Sequence, residues 1–232
     1  MTAVQKQFSK HAKEYNSYNI IQQIISKALV REMNVQPKRI LELGCGSGQV
    51  FRNINFPFEY YKAIDFSQEM CDIHPKHKNL DVSCLNFDSQ VFHDELKDEQ
   101  FDMVLSSSAL QWSKDLDKIL QTISNISDNI NMVLFTSNTF KTIFELTDTL
   151  SPILDIQSIN NSFSQYYTCK YEVLNYKLEF DNKKDLFNYI KNSGVSGNQS
   201  TLSFEKAKYL YKNYHLGYLE FEVIFVKGKI KK

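Results

Sequence analysis

The sequence predicts an α/β fold, a mostly parallel sheet with helices on both faces. Three observations lead there. Short, branched strand signals alternate with segments of helical spacing through the first two thirds of the chain, the pattern of a parallel sheet covered on both sides. One of those strands runs directly into a cluster of glycines and then into a helix signal. A length of 232 residues, 42% of them hydrophobic, suits one core with an elaboration.

The elements follow in order. From Gln5 to Met33 the apolar residues Phe8, Ala12, Tyr15, Ile20, Ile21, Ile24, Ile25, Ala28 and Leu29 recur at helical spacing, reading as two helices broken near Asn16 to Asn19. Arg39 to Leu43 is a strand, Gly44 to Gly48 a turn and Gln49 to Ile54 a helix. Tyr60 to Asp65 is a strand, Gln68 to Ile73 a short helix for which Ser67 is the cap, Leu80 to Asn86 a strand and Phe101 to Ser106 another. Asp115 to Ile126 is helical and Asn131 to Thr136 a buried strand. In the last third, Tyr171 to Phe180 and Tyr218 to Lys227 read as closing strands antiparallel to each other, with helices at Lys183 to Lys191 and Leu202 to Tyr214.

Composition excludes several functions. The 27 basic residues balance 27 acidic ones, so no global field favours nucleic acid. No apolar run is long enough to span a bilayer, and Met1 to Lys13 lacks the basic-then-apolar order of a secretion signal. Cys45, Cys71, Cys84 and Cys169 are scattered without a CxxC pair, and the five histidines form no HxxxH or HExxH pattern. The expectation is a reduced, cytoplasmic, monomeric chain without a metal. Only Arg31, Arg39 and Arg52 are arginines, which limits bidentate clamps for carboxylates.

The turn Glu42-Leu-Gly44-Cys45-Gly46-Ser-Gly48 holds three of the chain's seven glycines. Backbone without Cβ lets a ligand approach, and free amides stand at the helix start. A dinucleotide fingerprint would need glycine where Gln49 stands, and no Gly-Lys-Ser/Thr follows for a phosphate loop.

Glu42-x-Gly-x-Gly-x-Gly resembles motif I of the S-adenosylmethionine-dependent methyltransferases with a Rossmann-like, seven-stranded fold. The resemblance implies that Gly44, Cys45, Gly46 and Gly48 bend around the methionine half of the cofactor, with Glu42 orienting groups nearby. Asp65, closing the next strand, takes the place of the carboxylate that binds both ribose hydroxyls. Asn86-Phe87-Asp88 falls where the family holds adenine, with Asp88 on its amino group and Phe66, Met70, Leu85 and Phe87 available to grip the ring. Ser106 ends the strand beside the transferable methyl group.

The flanks narrow the resemblance. Phe8-Ser-Lys-His-Ala12-Lys-Glu-Tyr15 and Gln22, Ser106-Ser-Ser-Ala109-Leu-Gln111-Trp112, Phe135-Thr136, Phe144-Glu145-Leu146 and Tyr189-Ile-Lys-Asn-Ser-Gly194-Val are similar to segments of the malonyl-acyl-carrier-protein O-methyltransferases of biotin synthesis. Two departures stand out: Ser107 replaces the usual asparagine, and Thr139-Phe140-Lys141 lacks the usual glycines.

The implied organisation is one methyltransferase domain over 1–232, with capping helices in 1–35, a cofactor half in 36–137, and substrate-side helices and closing strands in 138–232. The implied reaction is methyl transfer from S-adenosylmethionine to the free carboxylate of malonyl-acyl-carrier protein, leaving S-adenosylhomocysteine. A carboxylate is already ionised at neutral pH, so positioning replaces acid/base chemistry. Tyr15, Gln111 and Trp112 would position the reactants, and Tyr15, Tyr18, Gln22, Ser107, Gln111, Trp112 and Lys141 would line the substrate side. Lys10, Lys13, Lys141 and Lys170 would offer a face to the acidic carrier protein.

Overall fold

The structure, a computed structural model, describes residues 19–192 and 203–231. Seven strands form one sheet: β1 (Arg39–Leu43), β2 (Tyr60–Asp65), β3 (Leu80–Cys84), β4 (Met103–Ser107), β5 (Asn129–Phe135), β6 (Tyr167–Glu179) and β7 (Tyr218–Ile230). Their order is β3-β2-β1-β4-β5-β7-β6. The first five run parallel, and β7 is antiparallel to both β5 and β6. The closing strands are longer than the sequence reading drew them, because β6 starts directly after a helix and pairs with β7 along its whole length.

Period two decides what each strand buries. Ile40 joins Tyr61, Ala63, Leu105 and Val133 on one face, where helix α1 (Ile20–Arg31) lays down Ile21, Ile25 and Leu29. Leu41 and Leu43 point to the other face, with Ile64, Val104 and Ile130. There α4 (Gln90–Leu96), α5 (Leu116–Ile126) and α7 (Ile156–Tyr166) supply Phe92, Leu96, Ile119, Leu120, Ile123, Ile159 and Phe163. Each such side chain contributes about 1.5–3 kcal/mol of burial.

Short helices join the strands: α2 (Gln49–Asn53) follows the glycine turn, α3 (Gln68–Ile73) follows β2, and α6 (Lys141–Thr147) follows β5. The remaining two, α8 (Lys183–Asn192) and α9 (Phe204–Asn213), lie between β6 and β7. Capping fixes several starts. Ser67 accepts from the Met70 amide at the head of α3, Ser89 from Phe92 at α4, Asp115 from Lys118 at α5 and Asp155 from Ser158 at α7. The sequence reading missed α4, α6 and α7. Two of these have seven residues, too few for a periodic signal, and α7 is rich in Ser, Asn and Gln. The first expected helix and the Gly194 motif lie outside the described residues.

Candidate functional site

Strand order reverses between β1 and β4, and a crevice opens there beyond their carboxyl ends, the usual ligand position in an open α/β sheet. It has two lobes that share Gly44, Gly46, Ser107 and Ser108. Asp65, Phe66, Met70, Phe87, Ala109 and Trp112 complete the first lobe. The second is closed by Gln22 and Ser26 of α1, Glu42, Cys45, Ser47, Gln49 and Val50. A larger cavity, about 640 Å³, lies at the amino ends of β4 and β5, away from this switch point.

The glycine turn is held in a shape that side chains resist. Gly44, Gly46 and Gly48 have φ of +71°, +50° and +84°. A Cβ on Gly44 would stand 2.1 Å from the Ala109 Cβ, and one on Gly48 would meet Pro75 and His74, whereas around Gly46 there is open space. The Gly44 and Cys45 amides donate to the Ile64 carbonyl, tying the turn to β2.

Asp65 organises the first lobe. One carboxylate oxygen accepts from the Gly46 amide and the other from the Ser67 amide, both at 2.9 Å. Burial pushes its pKa up to about 6 against the pull of these backbone bonds. Its oxygens retain lone pairs, since an ionised carboxylate offers about four acceptor sites.

Glu42 anchors the second lobe. On the α1 side of β1, it is buried and accepts from the Tyr61 hydroxyl at 2.6 Å. Burial raises its pKa to about 8, opposed by the Tyr61 bond and reinforced by Asp65. Around it, Gln22 Oε1, Gln49 Nε2 and Ser108 Oγ are buried without hydrogen-bond partners. Three such atoms facing one lobe mark a place where a polar ligand completes the bonding.

Comparison with known proteins agrees with this architecture. Residues 41–128 match the family described as "Methyltransferase domain". That match covers the sheet's first four strands, and the architecture is the Rossmann-like methyltransferase fold. Among curated relatives, malonyl-[acyl-carrier protein] O-methyltransferase of Bacillus cereus is 26% identical over 170 residues, 70% of this chain and 62% of the relative. The chain's match thus spans less than two thirds of that relative's length. The Acinetobacter baylyi protein of the same name is 24% identical over 94% of this chain and 88% of its own. In fold, the YcgJ protein of Bacillus subtilis superposes with a TM-score of 0.65 at 14% identity, over 90% of this chain and 99% of that one. The plantazolicin methyltransferase BpumL, solved with SAH, gives 0.51 at 12% identity over 97% and 89%.

The residues that line the crevice fit S-adenosylmethionine. The first lobe pairs a carboxylate with apolar side chains, as a nucleoside requires. The second offers a carboxylate and unpartnered amide and hydroxyl groups, as an amino acid's charged end requires.

Several expected site residues are placed otherwise. Ser106 is fully buried and its hydroxyl donates to the Leu43 carbonyl, so it ties β4 to β1; by the alternation of the strand, Ser107 reaches the crevice instead. Asn86 spends its side-chain oxygen on the Asp88 amide. Asp88 is half-buried, accepts from the Lys114 amide and lies outside the lining of both lobes. Gln111 is buried beneath the crevice and donates to the Ser108 carbonyl at 2.7 Å, supporting that residue's left-handed backbone at φ +58°. Lys141 is exposed, 3.8 Å from Glu145, and lines neither lobe. Lys170 borders the cavity at the opposite end of the sheet, away from the crevice. Tyr15, Tyr18, Lys10 and Lys13 lie outside the described residues. Sequence reasoning missed Ser26, Ser47, Gln49, Ser108 and Tyr61, common residue types without a motif of their own.

Among the described residues, neither lobe is lined by lysine, arginine or histidine, and no group of three or more His, Cys, Asp or Glu is arranged to hold a metal ion. No helix among them is long and apolar enough to cross a membrane.

Proposed function

We propose that the protein is a carboxyl O-methyltransferase acting on the free carboxylate of a malonyl thioester carried by acyl carrier protein, in the pimeloyl-forming stage of biotin synthesis. It works as a single domain over 1–232, monomeric and cytoplasmic. The observation that carries the reading is a crevice equipped to hold a nucleoside and an amino acid, in which the described residues place no lysine or histidine and the two carboxyls, Asp65 and Glu42, are taken up by the cofactor. A malonyl carboxylate is ionised at neutral pH and requires no base. The names of the curated relatives and the Ala109-x-Gln111-Trp112 segment support the same substrate.

In this reading Asp65 accepts from the ribose hydroxyls while Phe66, Met70 and Phe87 enclose adenine. Glu42, Gln22, Gln49 and Ser108 hold the amino and carboxylate groups of the methionine half. When bound, S-adenosylmethionine supplies an electrophilic methyl on a sulfonium. Ser107, shared by the two lobes, and Trp112 of the first lobe hold the malonyl carboxylate in line with that methyl and exclude water. Hydroxyl and indole donors bind the carboxylate weakly enough to leave it nucleophilic. Tyr15 and Tyr18 cap the substrate side, as the resemblance of the amino-terminal segment implies.

The test is incubation of the purified protein with labelled S-adenosylmethionine and, separately, malonyl-acyl-carrier protein, malonyl coenzyme A and a quinone precursor. Labelled methyl ester on a malonyl thioester is expected. Absence of ester on both malonyl carriers overturns the reading, and label on the quinone precursor alone would replace it with a small-molecule methyltransferase.

A further inference from the structure

Cys45, Cys71 and Cys84 are far apart in sequence, but the fold gathers them behind one wall of the crevice. Cys84 ends β3 directly opposite Asp65, the last residue of β2. Cys71 sits on α3, the helix that begins just after Asp65. The Cys71 thiol lies 3.7 Å from the Asp65 carbonyl and the Cys84 thiol 3.5 Å from the Phe66 carbonyl. Two consecutive carbonyls of one turn thus hold the two thiols on the same side of the strand end. Cys45 adjoins Cys71 from the buried side.

The three thiols differ in environment. Cys84 is exposed, Cys71 half-buried and Cys45 buried. The bond from Cys45 holds the Cys71 thiol below the ordinary range, while burial pushes Cys84 up. An acidified thiol beside an accessible partner is the arrangement that peroxides oxidise selectively.

We propose that Cys71 and Cys84 are a peroxide-sensitive pair whose disulfide resets the cofactor crevice. The Cys71 thiolate attacks one oxygen of hydrogen peroxide; the O–O bond breaks, Cys71 becomes the sulfenic acid, and the hydroxide released takes a proton to leave as water. The Cys84 thiol, giving up its proton, then attacks the Cys71 sulfur. The S–S bond forms, the S–O bond breaks and a second water leaves. Two thiols are oxidised as one peroxide is reduced.

The bridge acts on the crevice through the turn above it. Asp65, Phe66 and Met70 all line the first lobe, and closing the disulfide withdraws both thiols from the Asp65 and Phe66 carbonyls. It also draws α3 toward the end of β3, since bridged Cβ atoms stand about 3.8 Å apart. Phe66 and Met70 shift with the turn, and cofactor affinity falls. This step rests on the cofactor arrangement proposed above.

The test treats the full-length protein with hydrogen peroxide, maps the product by non-reducing digestion and mass spectrometry, and measures S-adenosylmethionine affinity by calorimetry before and after. A Cys71–Cys84 linked peptide is expected, with affinity reduced about tenfold, within the usual range of coupling between two sites, and restored by dithiothreitol. The Cys84→Ser variant should bind cofactor normally when reduced and stop at a sulfenic acid trapped by dimedone. Absence of the linked peptide, or a linked peptide with unchanged affinity, overturns the proposal. Reduced protein that fails to bind cofactor would instead overturn the cofactor arrangement, since the disulfide is read by mass independently.

Discussion

Tyr61 donates its hydroxyl proton to Glu42 across 2.6 Å, joining β2 to β1 inside the core beneath the second lobe of the crevice. The bond lowers the pKa of a carboxyl that burial has raised to about 8. Removing the hydroxyl leaves Glu42 without it, and Tyr61→Phe should destabilise the protein by about 1–3 kcal/mol, the cost of an unmet buried partner. Chemical denaturation of the two proteins measures this directly.

The raised pKa of Glu42 also sets a pH dependence. Folded protein without ligand keeps the Glu42 proton up to about 8, whereas the unfolded chain releases it near the ordinary 4.5. This contribution is therefore complete below 4.5 and is lost progressively as pH rises toward 8. Asp65 behaves likewise between 3.8 and about 6. Burial lowers the pKa of His74 below the usual 6.5, and that group works in the opposite direction at acid pH. The window from about 6.5 to about 8 isolates Glu42 from both. In that window the melting temperature of the ligand-free protein should fall with rising pH, and Glu42→Gln should flatten the fall. A bound ammonium group favours the carboxylate, so cofactor affinity of the unaltered protein should rise over the same interval.

What could be read from sequence was whatever local chemistry specifies. Strand, glycine turn and helix from Arg39 to Asn53 form one continuous unit, and Ser67 with Glu69 announces the start of α3. Asp65 was legible from its place at the end of the next strand, where the resemblance puts a carboxylate. What could not be read depends on pairing between distant segments. Ser106 and Ser107 are adjacent and chemically alike, yet a strand sends one into the core and the other to the crevice, and only the register against β1 and β5 decides which. The meeting of Cys71 and Cys84 likewise needs β3 paired on β2. Gln49 and Ser108 carry no motif, and their importance lies in having no partner.

The glycine turn separates fold from function by one residue spacing. At Gly44 a methyl group would collide with Ala109, and φ is +71°; Gly44→Ala should cost several kcal/mol, as backbone and side-chain strain combine. At Gly46 the space is open and φ is +50°, so Gly46→Ala should cost only about 1 kcal/mol. Its methyl group enters the crevice, and cofactor affinity should fall far more than stability. Thermal melts paired with calorimetric titration distinguish the two outcomes; equal stability losses at both positions would contradict this account of the turn.

Gln22 tests the idea that unpartnered polar atoms await the cofactor. It is buried on α1, and its side-chain oxygen lacks a partner in the second lobe. Methionine has nearly the same length and shape without the amide, so Gln22→Met removes an unsatisfied buried acceptor while keeping the packing against the crevice. The ligand-free variant should be at least as stable as the unaltered protein, gaining up to about 1 kcal/mol. Cofactor binding should weaken by about tenfold, because one hydrogen bond to a charged group contributes about 1.5–3 kcal/mol. Opposite movements of stability and affinity are the signature of a residue kept for its ligand. A variant that loses stability and retains affinity would assign Gln22 to the packing of α1 on the sheet.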